Sequence, residues 1–128
     1  MAFKTPFTGP SVPETPDKLF RELTRRKFPD VLPHQSAMMK DYAAKAVNMT
    51  DVALQLPTGS GKTLVGLLIA EWRRRKFKER VVYLCPTKQL VYQIAEQAND
   101  KYGLSVATFV GKQRDFSPAD KADYLQAE

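Results

Sequence analysis

A run of small residues set between an apolar segment and a long helical pattern constrains this chain more than any other feature. Leu56-Pro57-Thr58-Gly59-Ser60-Gly61-Lys62-Thr63 follows Val52, Ala53 and Leu54 and precedes Leu64, Val65, Leu67, Leu68 and Ile69. Glycines at 59 and 61 permit backbone that other residues avoid. Successive N–H groups can therefore turn into one concavity. The positive end of the helix that starts at Lys62 points into the same space. Thr58, Gly59, Ser60 and Gly61 are the candidate cradle for phosphates. Lys62 can then reach the β- and γ-phosphates of a nucleotide, and the Thr63 hydroxyl can ligate Mg²⁺. The plain alternative is a glycine-rich turn before a helix. The closing Lys-Thr pair and the strand–loop–helix setting argue against it.

The rest of the chain is consistent with that setting. Residues 1–16 carry Pro6, Pro10, Pro13 and Pro16 and read as an extended, flexible leader. Asp17 is placed to cap a helix running to about Lys27. Phe28-Pro29-Asp30 breaks it, and Pro33 suits the first position of a second helix. Met38, Met39, Tyr42, Ala43, Ala46 and Val47 recur at helical spacing on that helix, and its methionines read as core filler. Strands are expected at 52–56, 81–85 and 105–110, and helices from Lys62 to about Lys76, from Lys88 to about Lys101, and from Ala119 to Glu128. Strand, helix, strand, helix, strand is the order of a parallel α/β sheet with helices on its faces.

Composition narrows the setting. With 43% hydrophobic and 27% charged residues the chain is of ordinary globular make-up. No apolar run reaches the length of a membrane span, and the N-terminus has no apolar signal region. Cys85 is the only cysteine, so no internal disulfide or cysteine-based zinc site can form, and a cytoplasmic location is expected. The net charge of +6 favours a polyanionic partner, though weakly by itself.

Three further stretches stand around the loop. Pro33-His34-Gln35 precedes it. A glutamine amide offers one donor and one acceptor edge, which can pair with adenine N6 and N7; Phe28 and Phe20 are candidates to stack on the base, while His34 reads as a surface or packing residue. Pro86-Thr87-Lys88-Gln89-Leu90-Val91-Tyr92-Gln93 follows the second expected strand. Thr87 and Lys88 fall where a strand end meets a helix start, a place suited to a phosphate backbone. Val110-Gly111-Lys112 closes the third expected strand in a similar way. The basic run Arg73-Arg74-Arg75-Lys76 lies at the far end of the loop's helix, where cations suit the helix dipole and a solvated face. Trp72 and Cys85 read as buried packing residues.

Leu56 stands where the general phosphate-loop pattern has a glycine. Thr58-Gly59-Ser60-Gly61-Lys62-Thr63 resembles instead motif I of the superfamily 2 helicases of DEAD/DEAH type, including those like type III restriction subunits. Pro33-His34-Gln35 resembles the family's Q motif, and Pro86 to Gln93 its motif Ia. Over residues 28–112 the chain looks like the N-terminal part of a first RecA-like domain. The resemblance implies an α/β P-loop fold with a three-layer parallel sheet, incomplete in this chain. It implies ATP and Mg²⁺ held by Gln35, Thr58, Gly59, Ser60, Gly61, Lys62 and Thr63, with Lys62 and Thr63 serving catalysis. It also implies a DNA or RNA backbone held by Thr87, Lys88, Gly111 and Lys112, and no role at a membrane. No Asp-Glu pair after an apolar strand follows, so residues 17–128 are expected to be a domain cut before motif II, inactive alone. Competing expectations are a duplex DNA translocase of restriction or defence type, a P-loop ATPase without a nucleic-acid role, and a nucleotide-binding module without turnover.

Overall fold

The computed structural model describes residues 12–59, 61–111 and 117–126. Five α-helices are present among them: α1 (Pro16–Glu22), α2 (Pro33–Lys45), α3 (Lys62–Phe77), α4 (Lys88–Gln97) and α5 (Pro118–Gln126). A π-helical turn, Ala98–Tyr102, continues α4 and ends at Gly103, whose φ is +69°. Helices α1, α2 and α3 pack on one another. Their shared core takes Phe20 and Leu23 from α1 and its end, Met39 from α2, Leu64, Val65, Leu67 and Leu68 from α3, and Ala98 and Leu104 from the π-turn region. Burial of a side chain of this kind stabilises by about 1.5–3 kcal/mol. Four buried residues in the first half of α3 make it the central element. No helix among the described residues is long and apolar enough to cross a membrane.

A second cluster joins Leu19, Tyr42 and Trp72. The buried Trp72 indole N–H donates to the Pro13 carbonyl at 2.8 Å, and Val12 packs on the same cluster. Thus residues 12–16 of the expected flexible leader are held against the helices, because a buried indole needs an acceptor; residues 1–11 lie outside the described residues. The start of α1 also differs from expectation. Thr15 occupies the cap position without a side-chain bond, and Asp17 lies inside the first turn. Asp17 is instead a buried strut: Ser36 Oγ donates to its Oδ2 at 2.8 Å, and Lys40 Nζ is 3.9 Å away. The helix stops at Glu22 rather than near Lys27, because the Arg26 guanidinium takes the Arg21 and Leu23 carbonyls at 2.8 and 2.7 Å.

The expected sheet is not formed among the described residues. Segments 52–56, 81–85 and 105–110 are not strands, and no backbone hydrogen bond joins one to another. Segment 81–85 nevertheless retains a strand-like alternation. Val82 and Leu84 are 74% and 85% exposed, whereas Val81 and Tyr83 are near 40%. The Tyr83 ring lies over Gly66 of α3, where an added Cβ would come within 3.0 Å of it. Val52 and Leu54 border the same side of α3, in a cleft of about 390 Å³ with Gly66, Ile69 and Arg73. One side of each of these two segments rests on α3, and the hydrogen-bonding edges have no ladder partner. Cys85 is half-buried, not buried.

Candidate nucleotide and nucleic-acid site

The loop before α3 has the backbone that its glycines permit. Gly59 and Gly61 have φ of +77° and +78°, the left-handed region in which other residues are strained. Gly61 stands at the helix cap position. An added Cβ at Gly59 would meet nothing within 4 Å, so the loop is open on that side. Lys62 is exposed and Thr63 half-buried at the first turn of α3. The unpaired N–H groups of that turn, the open glycine and a cation beside them make the chemistry of a phosphate site. Ser60 lies outside the described residues. These residues fit a nucleotide's phosphates. For Mg²⁺ they offer the Thr63 hydroxyl, with remaining ligands to come from phosphate and water; among the described residues no group of three His, Cys, Asp or Glu side chains could hold a metal.

Gln35 is brought onto this loop. It is buried at 4% exposure, and its Nε2 lies 3.4 Å from the Gly61 carbonyl, across 26 residues of sequence. A Cβ on Gly61 would stand 2.2 Å from that nitrogen. The amide oxygen of Gln35 accepts from the Leu32 N–H at 2.9 Å. Both ends of the amide are therefore engaged with the protein, and pairing with adenine would require them to exchange partners. Gln35 thus also caps α2, a role that the spacing from Pro33 signals. Pro33 at the first helical position puts Gln35 third, where a glutamine reaches back to the cap N–H. Of the two aromatic candidates for stacking, Phe20 is fully buried and edge-on to Tyr102 at 6.4 Å. Phe28 is 47% exposed and remains available.

The nucleic-acid candidates stand on other elements. Thr87 caps α4, its Oγ1 accepting from the Leu90 N–H at 3.2 Å. That leaves the hydroxyl hydrogen free to donate to a phosphate oxygen. Lys88 is exposed at the first position of α4. Gly111 has φ of +82° with open space around it; Lys112 lies outside the described residues. No hydrogen bond among the described residues carries Thr87, Lys88 or Gly111 to Gln35 or Gly61. The basic run on α3 is turned to internal work. Arg73 forms a two-bond pair with Glu79 at 2.7 and 2.8 Å and also donates to Tyr42 Oη and the Val47 carbonyl. Arg74 and Arg75 both bind Glu71, and Lys76 sits 4.9 Å from the Trp72 ring centre.

Comparison with known proteins covers the loop, Gln35 and the nucleic-acid candidates, but not Phe20 or Phe28. The family model described as DEAD/DEAH box helicase matches residues 32–125, which takes in Gln35, the loop, Thr87, Lys88, Gly111 and Lys112. The chain is 35% identical over 85 residues to the ATP-dependent RNA helicase SrmB of Haemophilus influenzae, across 59% of this chain and 19% of that protein. It thus spans about a fifth of the length of the curated relative it matches. No solved structure matches. The glycine loop ahead of α3, the glutamine seated on it and a family match over most of the sequence lead to one conclusion: the chain belongs to the DEAD/DEAH box helicase family.

Proposed function

We propose that this chain is the ATP-binding part of an ATP-dependent nucleic-acid helicase, with Mg-ATP held by the loop 56–63 and Gln35, and the nucleic-acid backbone held at the start of α4. The observation that carries this reading is the meeting of Gln35 with Gly61. A base-reading amide and a phosphate loop belong on one site only if they bind one ligand, and a nucleoside triphosphate has both a base edge and phosphates. Lys62 supplies the charge for the β- and γ-phosphates, Thr63 the hydroxyl for Mg²⁺, and Phe28 the exposed ring for the base. Thr87, Lys88, Gly111 and Lys112 contact phosphate, not bases. The family relative is named as an RNA helicase, which favours RNA over DNA as the polynucleotide. In the proposed setting, a cytoplasmic helicase, segments 52–56, 81–85 and 105–110 become strands of a RecA-like parallel sheet when neighbouring strands pair with them. The alternating exposure of 81–85 and the seating of 52–56 and 81–85 against α3 support that assignment.

Photo-crosslinking with 8-azido-ATP in the presence of Mg²⁺, followed by peptide mass spectrometry, tests the site. Label on the peptide containing Phe28 to Gln35, competed by ATP, is the expected result. Label confined to other regions, or unaffected by ATP, would overturn the assignment.

A further inference from the structure

We infer that Arg25, Lys27 and Lys101 form a second phosphate-contacting surface for single-stranded RNA, at the far end from Lys88 of the helical run that starts there; the inference rests on the helicase reading and extends it. The segment after α1 lies directly on the π-helical turn. The Lys27 N–H donates to the Lys101 carbonyl at 2.9 Å. Arg25 lies so close to Gly103 that a Cβ there would come within 2.8 Å of the Arg25 Cβ and 3.1 Å of its backbone. Arg26, between the two, is turned inward: it holds the Arg21 and Leu23 carbonyls and lies over the Phe20 ring. That inward anchor fixes the segment and leaves Arg25 and Lys27 exposed on either side of it, beside the exposed Lys101. None of the three forms an ion pair with a described residue. The Arg73–Lys76 run, richer in charge by sequence, is consumed by Glu71, Glu79 and Trp72. Glu22, Asp30 and Asp100 are the acids nearest in sequence, and Asp30 is taken up by Arg21, so the three cations with Arg26 still leave a local excess of positive charge.

Lys88 and Lys101 stand near opposite ends of one helical run made of α4 and the π-turn, roughly 20 Å apart by the helical rise. The cluster is therefore separate from the contact proposed at Thr87 and Lys88. Cations on fixed backbone, without paired carboxylates, suit the regularly spaced charges of a phosphate backbone and carry no base preference.

Fluorescence anisotropy of the 1–128 chain with a labelled oligouridine, measured across a salt series, tests this. The triple variant Arg25→Ala/Lys27→Ala/Lys101→Ala keeps every Cβ and should melt like the wild type. It should bind at least ten-fold more weakly at low salt, and its log–log salt slope should be shallower by about 2, near 0.7 for each lost contact. The charge-conserving variant Arg25→Lys/Lys27→Arg/Lys101→Arg should bind like the wild type. Unchanged affinity and slope in the alanine variant, lost binding in the charge-conserving variant, or no oligouridine binding by the wild type would each overturn the proposal. Weakened binding in Lys88→Ala with none in the triple variant would refute this surface and leave the helicase reading standing. Weakening in the triple variant alone would keep this surface and remove Lys88 from the reading.

Discussion

At Gly61 two requirements meet in one residue. Its backbone is left-handed, and the space where a side chain would begin is occupied by the amide of Gln35. Gly61→Ala is therefore expected to cost about 1–2 kcal/mol from backbone strain alone, and more while Gln35 keeps its place. In the double variant Gly61→Ala/Gln35→Ala the collision is gone, so its loss should be smaller than the sum of the two single losses, a coupling readable in a double-mutant cycle of chemical denaturation. Simple additivity would show that Gln35 does not press on the loop in solution. Gln35→Ala alone removes both the cap on Leu32 and the donor to Gly61. It should destabilise α2 by about 1 kcal/mol, in the range of other capping side chains, and reduce the preference for ATP over GTP more than total triphosphate affinity, measured by competition binding. An unchanged ATP preference would leave Gln35 with the capping role only. The loop residues were legible because the glycines and the Lys-Thr pair impose their chemistry locally. The double duty of Gln35 depends on where α2 meets the loop, and local spacing does not encode that.

Among elements, α3 links the loop to the rest of the molecule. Its buried face was readable from Leu64, Val65, Leu67 and Leu68, and its basic end from the helix dipole. The partners of Arg73 were not, because Glu79 lies beyond the helix end and Tyr42 on another helix. Nor was the short α1, since Arg26 ends it by folding its side chain back onto the carbonyls of Arg21 and Leu23 rather than through a breaker residue. Trp72→Ala should cost about 3–5 kcal/mol as a large buried aromatic and should also release residues 12–16 from their anchor at the Pro13 carbonyl, seen as faster amide exchange there. Unchanged exchange at 12–16 would remove the anchor. Glu71 gives α3 a pH dependence. Its burial pushes the carboxyl up, but hydrogen bonds from Arg74 and Arg75 outweigh that and hold it below its ordinary value. A carboxyl depressed in the folded state contributes stability that is complete above its unfolded value near pH 4.3 and is lost as pH falls through the folded one. Glu71→Gln should accordingly lower Tm at pH 7, and the gap to wild type should close as pH is taken towards 3. A gap constant with pH would show that the arginines contribute nothing through this charge.

For the molecule as a whole, the contrast lies between its helices and the three segments expected as strands. Helices satisfy their own backbone, so α2, α3 and α4 were legible from local pattern. A strand completes its hydrogen bonds only with neighbours, and segments 52–56, 81–85 and 105–110 have none among themselves. The apolar residues that marked 81–85 as a strand are the ones now most exposed, Val82 and Leu84. A contiguous apolar surface of this sort binds hydrophobic dyes, so Val82→Lys/Leu84→Lys should reduce dye fluorescence of the 1–128 chain without lowering its Tm. An unchanged signal would place that surface elsewhere. The central claim is that the loop 56–63 binds the phosphates of Mg-ATP, and isothermal titration of Mg-ATP into the 1–128 chain and its Lys62→Ala variant tests it most directly. Binding by the wild type, weakened about ten- to a hundred-fold in the variant through loss of a charge-assisted contact of about 1.5–3 kcal/mol, is the expected result; no binding by the wild type, or equal affinity in both, would contradict it.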